Sequence, residues 1–290
     1  MITQAILKAL RKKIGCASIG DPVVFGKNVL NQCFQYETDK GRFFVKVSSS
    51  GDIDAIAAEA KALEMIDESG TLRSPRPQYF GYYENQVFLI MEYLELLPHT
   101  PESIELLGRN LALMHQQKTH EVFGFPLDNL LGATVQPNSF NNSWTAFFVE
   151  KRLRYQLKIN EDKYGDKELR SLGEKAVESV ETILSKIEAT ACLLHGDLWS
   201  GNTARDTEGM PVVFDPASYY GHSEADLSIT TMFGGFPPRF YEAYHEIIPK
   251  ESGFEERQRI YRLYHTLNHY YQFGDSYRGE CINLIKAIHA

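Results

Sequence analysis

The sequence predicts an α+β chain of two lobes, a small β-rich one followed by a larger, mainly helical one. Strand-type runs with a single strong helix pattern fill residues 1–95. From about Pro98 helical periodicity takes over, and only two short apolar runs, Cys192–Leu194 and Val212–Phe214, interrupt it. The expected lobes are therefore residues 1–95 and 96–290, with a hinge near Glu92–Pro98 and a ligand cleft between them.

In the first lobe, Val29–Tyr36 and Arg42–Val47 read as strands joined by the turn-forming run Thr38–Gly41, together a hairpin. Asp54–Glu68 carries Ile56, Ala60, Leu63 and Ile66 on one apolar face and predicts a helix, with Asp52 or Asp54 as its cap. SPRPQYFGYYE reads as a turn and then an extended run, and QVFLIMEYLEL as a buried strand ending in a polar stretch. In the second lobe, helices are expected over Glu102–Gln117, Trp144–Ile159, Lys167–Glu188, Glu255–Phe273 and Gly279–Ile288.

Bulk composition narrows the function. With 43% hydrophobic and 23% charged residues over 290 positions, the chain is an ordinary globular one. A formal net charge of -8 argues against a nucleic-acid partner, which calls for a basic stripe. Cys16, Cys33, Cys192 and Cys281 stand far apart without a CxxC pair, which removes support for zinc or a dithiol and suits free thiols in a reducing compartment. No apolar run is long enough to span a membrane, and the start reads as a short amphipathic helix instead of a signal peptide, so a cytoplasmic location is expected.

The chemistry concentrates in LLHGDLWSGNTARDTEGMPVVFDPASYY, Leu193–Tyr220. Asp197 and Asn202 lie five residues apart, and a hairpin ending in Val212–Phe214 returns Asp215 beside Asn202. A carboxylate and an amide oxygen beside a phosphate suit Mg²⁺, a hard ion that takes its other ligands from phosphate and water. Asp197 is then left to accept a proton from an attacking hydroxyl. Lys46, mid-strand in FFVKV, either snorkels at an edge or points into the cleft. Glu59, on the apolar side of the next helix, needs a cation, and Lys46 is the nearest; such a pair can hold nucleotide phosphates.

HGDLWSGN resembles the H-x-D-x-x-x-x-N catalytic loop of the protein-kinase-like fold, with FDP in the place of DFG, FFVK in that of VAIK and MEYL in that of the hinge strand. More narrowly, the chain resembles the fructosamine kinase (ketosamine 3-kinase) family. Trp199 in the loop, FGFPLDNLLGATVQPN, the Trp144, Phe147, Phe148, Arg152 and Leu153 set, GHSEADL, MFGGF and YRLYHTLNHYYQFG all match its pattern, from about Val29 to the C-terminus. The resemblance implies ATP and Mg²⁺ as cofactors and phosphorylation of a ketoamine, free or on a glycated protein lysine, at the sugar 3-hydroxyl, which promotes deglycation. It implies Asp197 as catalytic base, Asn202 and Asp215 as metal ligands, and Lys46 with Glu59 at the phosphates. Backbone groups of Glu92, Tyr93 and Leu94 would take adenine, with Gly26 in the nucleotide loop. Trp199 would pack on the sugar, while His195 and Asp226 would support the loop. One departure stands out: Lys27 replaces the second glycine of the family's loop, which is expected to keep that loop further from the phosphates.

Each feature also has a plainer origin. Asp197 and Asn202 suit turns, Asp215–Pro216 a strand end, and Glu224 and Asp226 a helix start. Trp144, Phe147, Phe148 and Tyr261–Tyr271 suit a core, and Cys33 a packed hydrophobe more than a redox thiol. An aminoglycoside- or choline-type kinase and a non-catalytic ATP-binding pseudokinase are the competing functions.

Overall fold

A computed structural model describes residues 2–27, 31–49, 51–118 and 120–289, at Lys27 the backbone alone. α1 (Ile2–Ala9) continues through a wider turn, Leu10–Ile14. The first lobe then forms β1 (Val23–Lys27), β2 (Asn31–Thr38), β3 (Gly41–Ser48), α2 (Ile53–Glu68), β4 (Pro77–Tyr83) and β5 (Gln86–Glu92). Among the described residues these strands make one five-stranded antiparallel sheet in the order β1-β2-β3-β5-β4. The β2–β3 hairpin is tighter than Thr38–Gly41 suggested: Thr38 pairs with Gly41 across a two-residue turn. Strand β2 also runs two residues past Tyr36, while Val29 and Leu30 lie outside the described residues.

Helix α2 starts where Asp52 accepts the Asp54 and Ala55 N–H groups at 3.0 Å each, so Asp52 is the cap. It has two buried faces. Ile56, Ala60 and Leu63 pack on the sheet residues Val87, Leu89 and Met91, whereas Ala58, Ala62 and Ile66 enter the main core of the second lobe. Burying Ile56, Leu63 and Ile66 stabilises the fold by about 2 kcal/mol each, and the shared helix fixes Glu59 relative to both lobes.

The second lobe begins with α3 (Pro101–Gln116), capped by a reciprocal Thr100–Ser103 box. The short hairpin β6 (Asn129–Leu131) and β7 (Thr134–Gln136) follows. Helix α4 (Trp144–Phe148) passes through a wider stretch, Val149–Arg154, into α5 (Tyr155–Tyr164), so this helical segment outruns the expected end at Ile159; α6 (Lys167–Leu184) stops short of Glu188. β8 (Cys192–Leu193), the hairpin β9 (Thr203–Arg205) and β10 (Pro211–Val213), and β11 (Tyr220–Gly221) frame the motif-bearing segment. Helices α7 (Glu224–Thr230), α8 (Pro238–His245), α9 (Phe254–Phe273) and α10 (Arg278–His289) close the chain. Trp144, Phe147, Phe148, Tyr261, Tyr264 and Tyr270 are core, as expected, and Tyr271 is half-buried. No described helix is long and apolar enough to cross a membrane.

Candidate active site

Strand β3 carries Lys46 inward to meet α2. Its Nζ donates to Glu59 Oε1 at 2.8 Å and Oε2 at 3.0 Å, and across the cleft to Asp215 Oδ1 at 3.0 Å. Burial alone would lower the Lys46 pKa, but the charges of Asp215 and Glu59 outweigh it and hold the ammonium above its ordinary range. Of the two readings open for Lys46, the cleft-facing one is realised. Asp215 is exposed, and Lys46 holds its carboxyl below the usual range.

Asp215 adopts a left-handed backbone, φ 53°, rare for a residue other than glycine and costing about 1–2 kcal/mol. The surroundings enforce it: Phe214 N–H donates to Asn202 O at 3.1 Å and Ala217 N–H to His195 O at 2.9 Å. Gly196, φ 82°, allows this closeness, since a Cβ there would lie 2.1 Å from Ala217 O.

At the root of the loop, Asp226 is 1% exposed. It accepts His195 N–H on Oδ2 at 2.6 Å and Gly196 N–H on Oδ1 at 2.7 Å, and His115 Nε2 lies 3.2 Å from Oδ2. Burial would raise this carboxyl, yet these donors hold it below its ordinary value. His195 Nε2 donates to Phe214 O at 3.1 Å while Nδ1 accepts Asp197 N–H at 3.3 Å, which requires one neutral tautomer. Burial lowers the His195 pKa in the same sense. The ring thus bolts the loop to the strand end before Asp215.

The loop tip differs. Asp197 is pushed up to about 7, first by burial and then by the charge of Asp215; Asn202 opposes the rise. Asn202 Nδ2 donates to Asp197 O at 2.9 Å and Oδ2 at 3.1 Å, which leaves the amide oxygen to meet a cation. Trp199 is 39% exposed, lies over Gly201 and meets the Phe233 ring edge-on at 6.0 Å.

A cavity of about 750 Å³ joins these groups, lined by Lys46, Glu59, Asp197, Trp199, Asn202 and Asp215. Its walls do not reach Gly26 or Glu92–Leu94. The Tyr93 N–H already donates to Arg42 O at 3.3 Å, and the Glu92 carboxylate pairs with Arg73 at 2.5 Å. Phe25 of β1 covers this edge, 5.8 Å from the Tyr93 ring and 5.9 Å from that of Phe44. The Lys27 side chain lies outside the described residues. Cys33 is half-buried on β2, opposite Lys46, and burial raises its thiol pKa.

The cavity also contains residues that sequence reasoning assigned no role: Phe233 after α7, His269, Gln272 and Phe273 on α9, and Tyr277 beyond it. Their signal was present in MFGGF and NHYYQFG, where large apolar residues sit beside glycines, but nothing local places those segments against Trp199.

The family model for fructosamine kinase matches residues 2–290. The chain is 41% identical over 262 residues to an Arabidopsis thaliana chloroplastic protein-ribulosamine 3-kinase, covering 90% of this chain and 80% of the plant protein. It is 34% identical to the Mus musculus ketosamine-3-kinase, covering 96% of this chain and 97% of the mouse protein. A crystal structure described as a fructosamine-3-kinase of Haemophilus somnus superposes with a TM-score of 0.88 at 28% identity, covering 98% of this chain and 97% of that one. An aminoglycoside phosphotransferase shares the fold alone, with a TM-score of 0.68 at 13% identity, covering 100% of this chain and 98% of its own. The chain belongs to the fructosamine kinase family, and its two-lobed architecture is protein-kinase-like.

Proposed function

We propose that this protein is an ATP-dependent kinase that phosphorylates the sugar 3-hydroxyl of ketoamines, and that the destabilised phosphorylated adduct then releases the amine. The observation that carries the reading is the pairing of a proton-accepting carboxylate, Asp197, raised to about 7, with the Lys46–Glu59–Asp215 triad across one cleft. The aminoglycoside reading rests on fold likeness alone, and the pseudokinase reading loses its ground because Lys46, Asp197, Asn202 and Asp215 are all present and converge.

In this proposal Asp197 orients the attacking hydroxyl and accepts its proton, for which a carboxyl near neutrality is well matched. Asn202 keeps Asp197 aimed through the Nδ2–Oδ2 hydrogen bond. Lys46 meets the phosphates of ATP, held by Glu59 so that it cannot swing away. Asn202 and Asp215 present hard oxygen donors at the two ends of one hairpin, and among the described residues no cluster of three or more His, Cys, Asp or Glu forms a self-sufficient metal site. That set suits Mg²⁺, which when bound would neutralise phosphate charge and offset the Asp215 charge that raises Asp197. Glu92–Leu94 and Gly26 remain the proposed adenine and phosphate-loop contacts, beside the Phe25 ring that packs on Tyr93. A glycated lysine on a protein is a proposed substrate beside free ketoamines, because Phe273, which lines the cavity, is 63% exposed. The four cysteines are unpaired, which suits a cytoplasmic setting.

The test is turnover. Purified protein with MgATP should release ADP on adding a ribulosamine or fructosamine. Turnover of aminoglycosides or choline with none on any ketoamine would sink the reading.

A further inference from the structure

Asp215 reaches the cleft on a left-handed backbone, and an unfavourable φ of 53° has to be held from both sides. Its carboxylate meets Lys46 of the first lobe, so its place in the second lobe is set through the chain around it. On the incoming side, His195 Nε2 donates to Phe214 O at 3.1 Å and Phe214 N–H donates to Asn202 O at 3.1 Å. On the outgoing side, the bonds come from the β6–β7 hairpin, a segment apart from the catalytic loop. Gln136 Nε2 donates to Ala217 O at 3.0 Å, and Asn129 Nδ2 donates to Ser218 O at 2.8 Å. Gln136 Nε2 also donates to Asn129 Oδ1 at 2.7 Å, while Tyr264 of α9 donates its hydroxyl to Gln136 Oε1 at 2.6 Å. All five of these residues are buried.

The network has one chemically consistent arrangement. Ala217 O and Ser218 O only accept, so both amides turn their nitrogens towards them. That leaves the Gln136 oxygen for the Tyr264 hydroxyl and the Asn129 oxygen for Gln136. The Ala217 peptide is held on both sides, its N–H by His195 O at 2.9 Å and its carbonyl by Gln136. A buried carbonyl that loses its donor is costly, so the hairpin resists any shift of residues 217 and 218, just after Asp215. We infer that Gln136 and Asn129 are positioning residues for Asp215: the hairpin fixes the outgoing chain as the catalytic loop fixes the incoming one. Together they set how well Asp215 meets a divalent cation beside Asn202. The inference rests on the metal-ligand reading of Asp215 and adds what holds that ligand in place. Asp197 stands in the loop that Asp226 anchors, so the hairpin acts on the metal half of the site.

The experiment measures Mn²⁺ binding in the presence of ADP by electron paramagnetic resonance, which reads free Mn²⁺ and needs no turnover. Mn²⁺ takes the same oxygen donors as Mg²⁺. Gln136→Met keeps the side-chain length and removes both donated bonds, so the Mn²⁺ dissociation constant should rise about five- to tenfold. Tyr264→Phe keeps the ring and removes one hydroxyl; the rise should be about threefold, and this variant carries the test if Gln136→Met does not fold. Val180→Ala, a cavity in the α6 core, controls for general loss of stability: its melting temperature should fall with Mn²⁺ affinity unchanged. Wild-type affinity in a folded Gln136→Met, or in Tyr264→Phe where it stands in, would overturn the positioning role. So would an equal loss of affinity in Val180→Ala. A wild-type protein that takes up no Mn²⁺ with ADP would overturn the metal reading of Asp215 itself, and the inference with it.

Discussion

The root of the candidate catalytic loop, where Asp226 of α7 holds His195 and Gly196, and its tip, Asp197, are opposite in electrostatic design. At the root, Asp226 is buried among His195 N–H, Gly196 N–H and His115, and those donors keep it ionised. At the tip, Asp197 is pushed towards neutrality by burial and by the charge of Asp215, against a single opposing hydrogen bond from Asn202. Both are aspartates that meet one short loop, Asp226 from α7 and Asp197 from within it. The first has its charge satisfied and so holds geometry; the second is left unsatisfied and so can exchange a proton.

Removing the tip carboxylate should have the largest consequence. Asp197→Asn keeps the shape and the Asn202 neighbour but cannot accept a proton, so kcat should fall at least about a hundredfold with ATP affinity little changed. Steady-state kinetics with isothermal titration of ATP separate the two quantities; a variant within a few-fold of wild type in kcat would show that Asp197 is not the base.

The tip residues were legible because their spacing is local. HGDLWSGN puts Asp197 and Asn202 in one loop, a two-strand hairpin returns Asp215, and the strand-borne Lys46 needs only the next helix to find Glu59. The root was legible only through resemblance, since Asp226 lies 31 residues from His195 and reaches it through the packing of α7. Glu224 starts α7, as a helix-start acid would, and its carboxylate is also buried against Arg257 at 2.6 Å, a partner that local sequence does not show. The aromatic side of the cavity was not legible at all: Trp199, Phe233 and His269 come from three segments whose juxtaposition depends on how α9 packs against α7 and the β6–β7 hairpin. Gln272 fixes part of that packing by accepting Ala133 N–H at 3.0 Å and donating to Leu131 O at 3.1 Å, contacts with no signature in sequence spacing.

Disturbing the root should cost less activity per molecule and more stability. Asp226→Asn places an amide donor against the N–H groups of His195 and Gly196, leaving buried donors unpaired. The expected loss is about 3 kcal/mol of folding free energy, with kcat falling about tenfold because the base survives but loses its aim. Urea unfolding and kinetics on the same preparation measure both. Unchanged stability would mean that the loop does not depend on Asp226.

The smallest effect separates root from tip most cleanly, because it has the opposite sign. The folded pKa of Asp197, about 7, stands above the unfolded value of about 4. The folded state therefore binds the proton more tightly, and ionisation on raising pH through this window works against folding. Below about pH 4 both states are protonated and the term vanishes; above about pH 7 it is complete. Asp197→Asn removes it, so the variant should match wild type at low pH and become more stable as pH rises from about 4 to 7. After discounting for the solvent at the cleft mouth, the gain should be about 1–2 kcal/mol. Asp226, whose folded pKa is depressed, carries the reverse linkage: its contribution is present at neutral pH and is lost in acid. Melting curves of wild type and Asp197→Asn at pH 4.5, 6 and 8 measure the difference. A variant less stable than wild type at pH 8 would show Asp197 to be as well satisfied as Asp226, and the contrast between root and tip would fail.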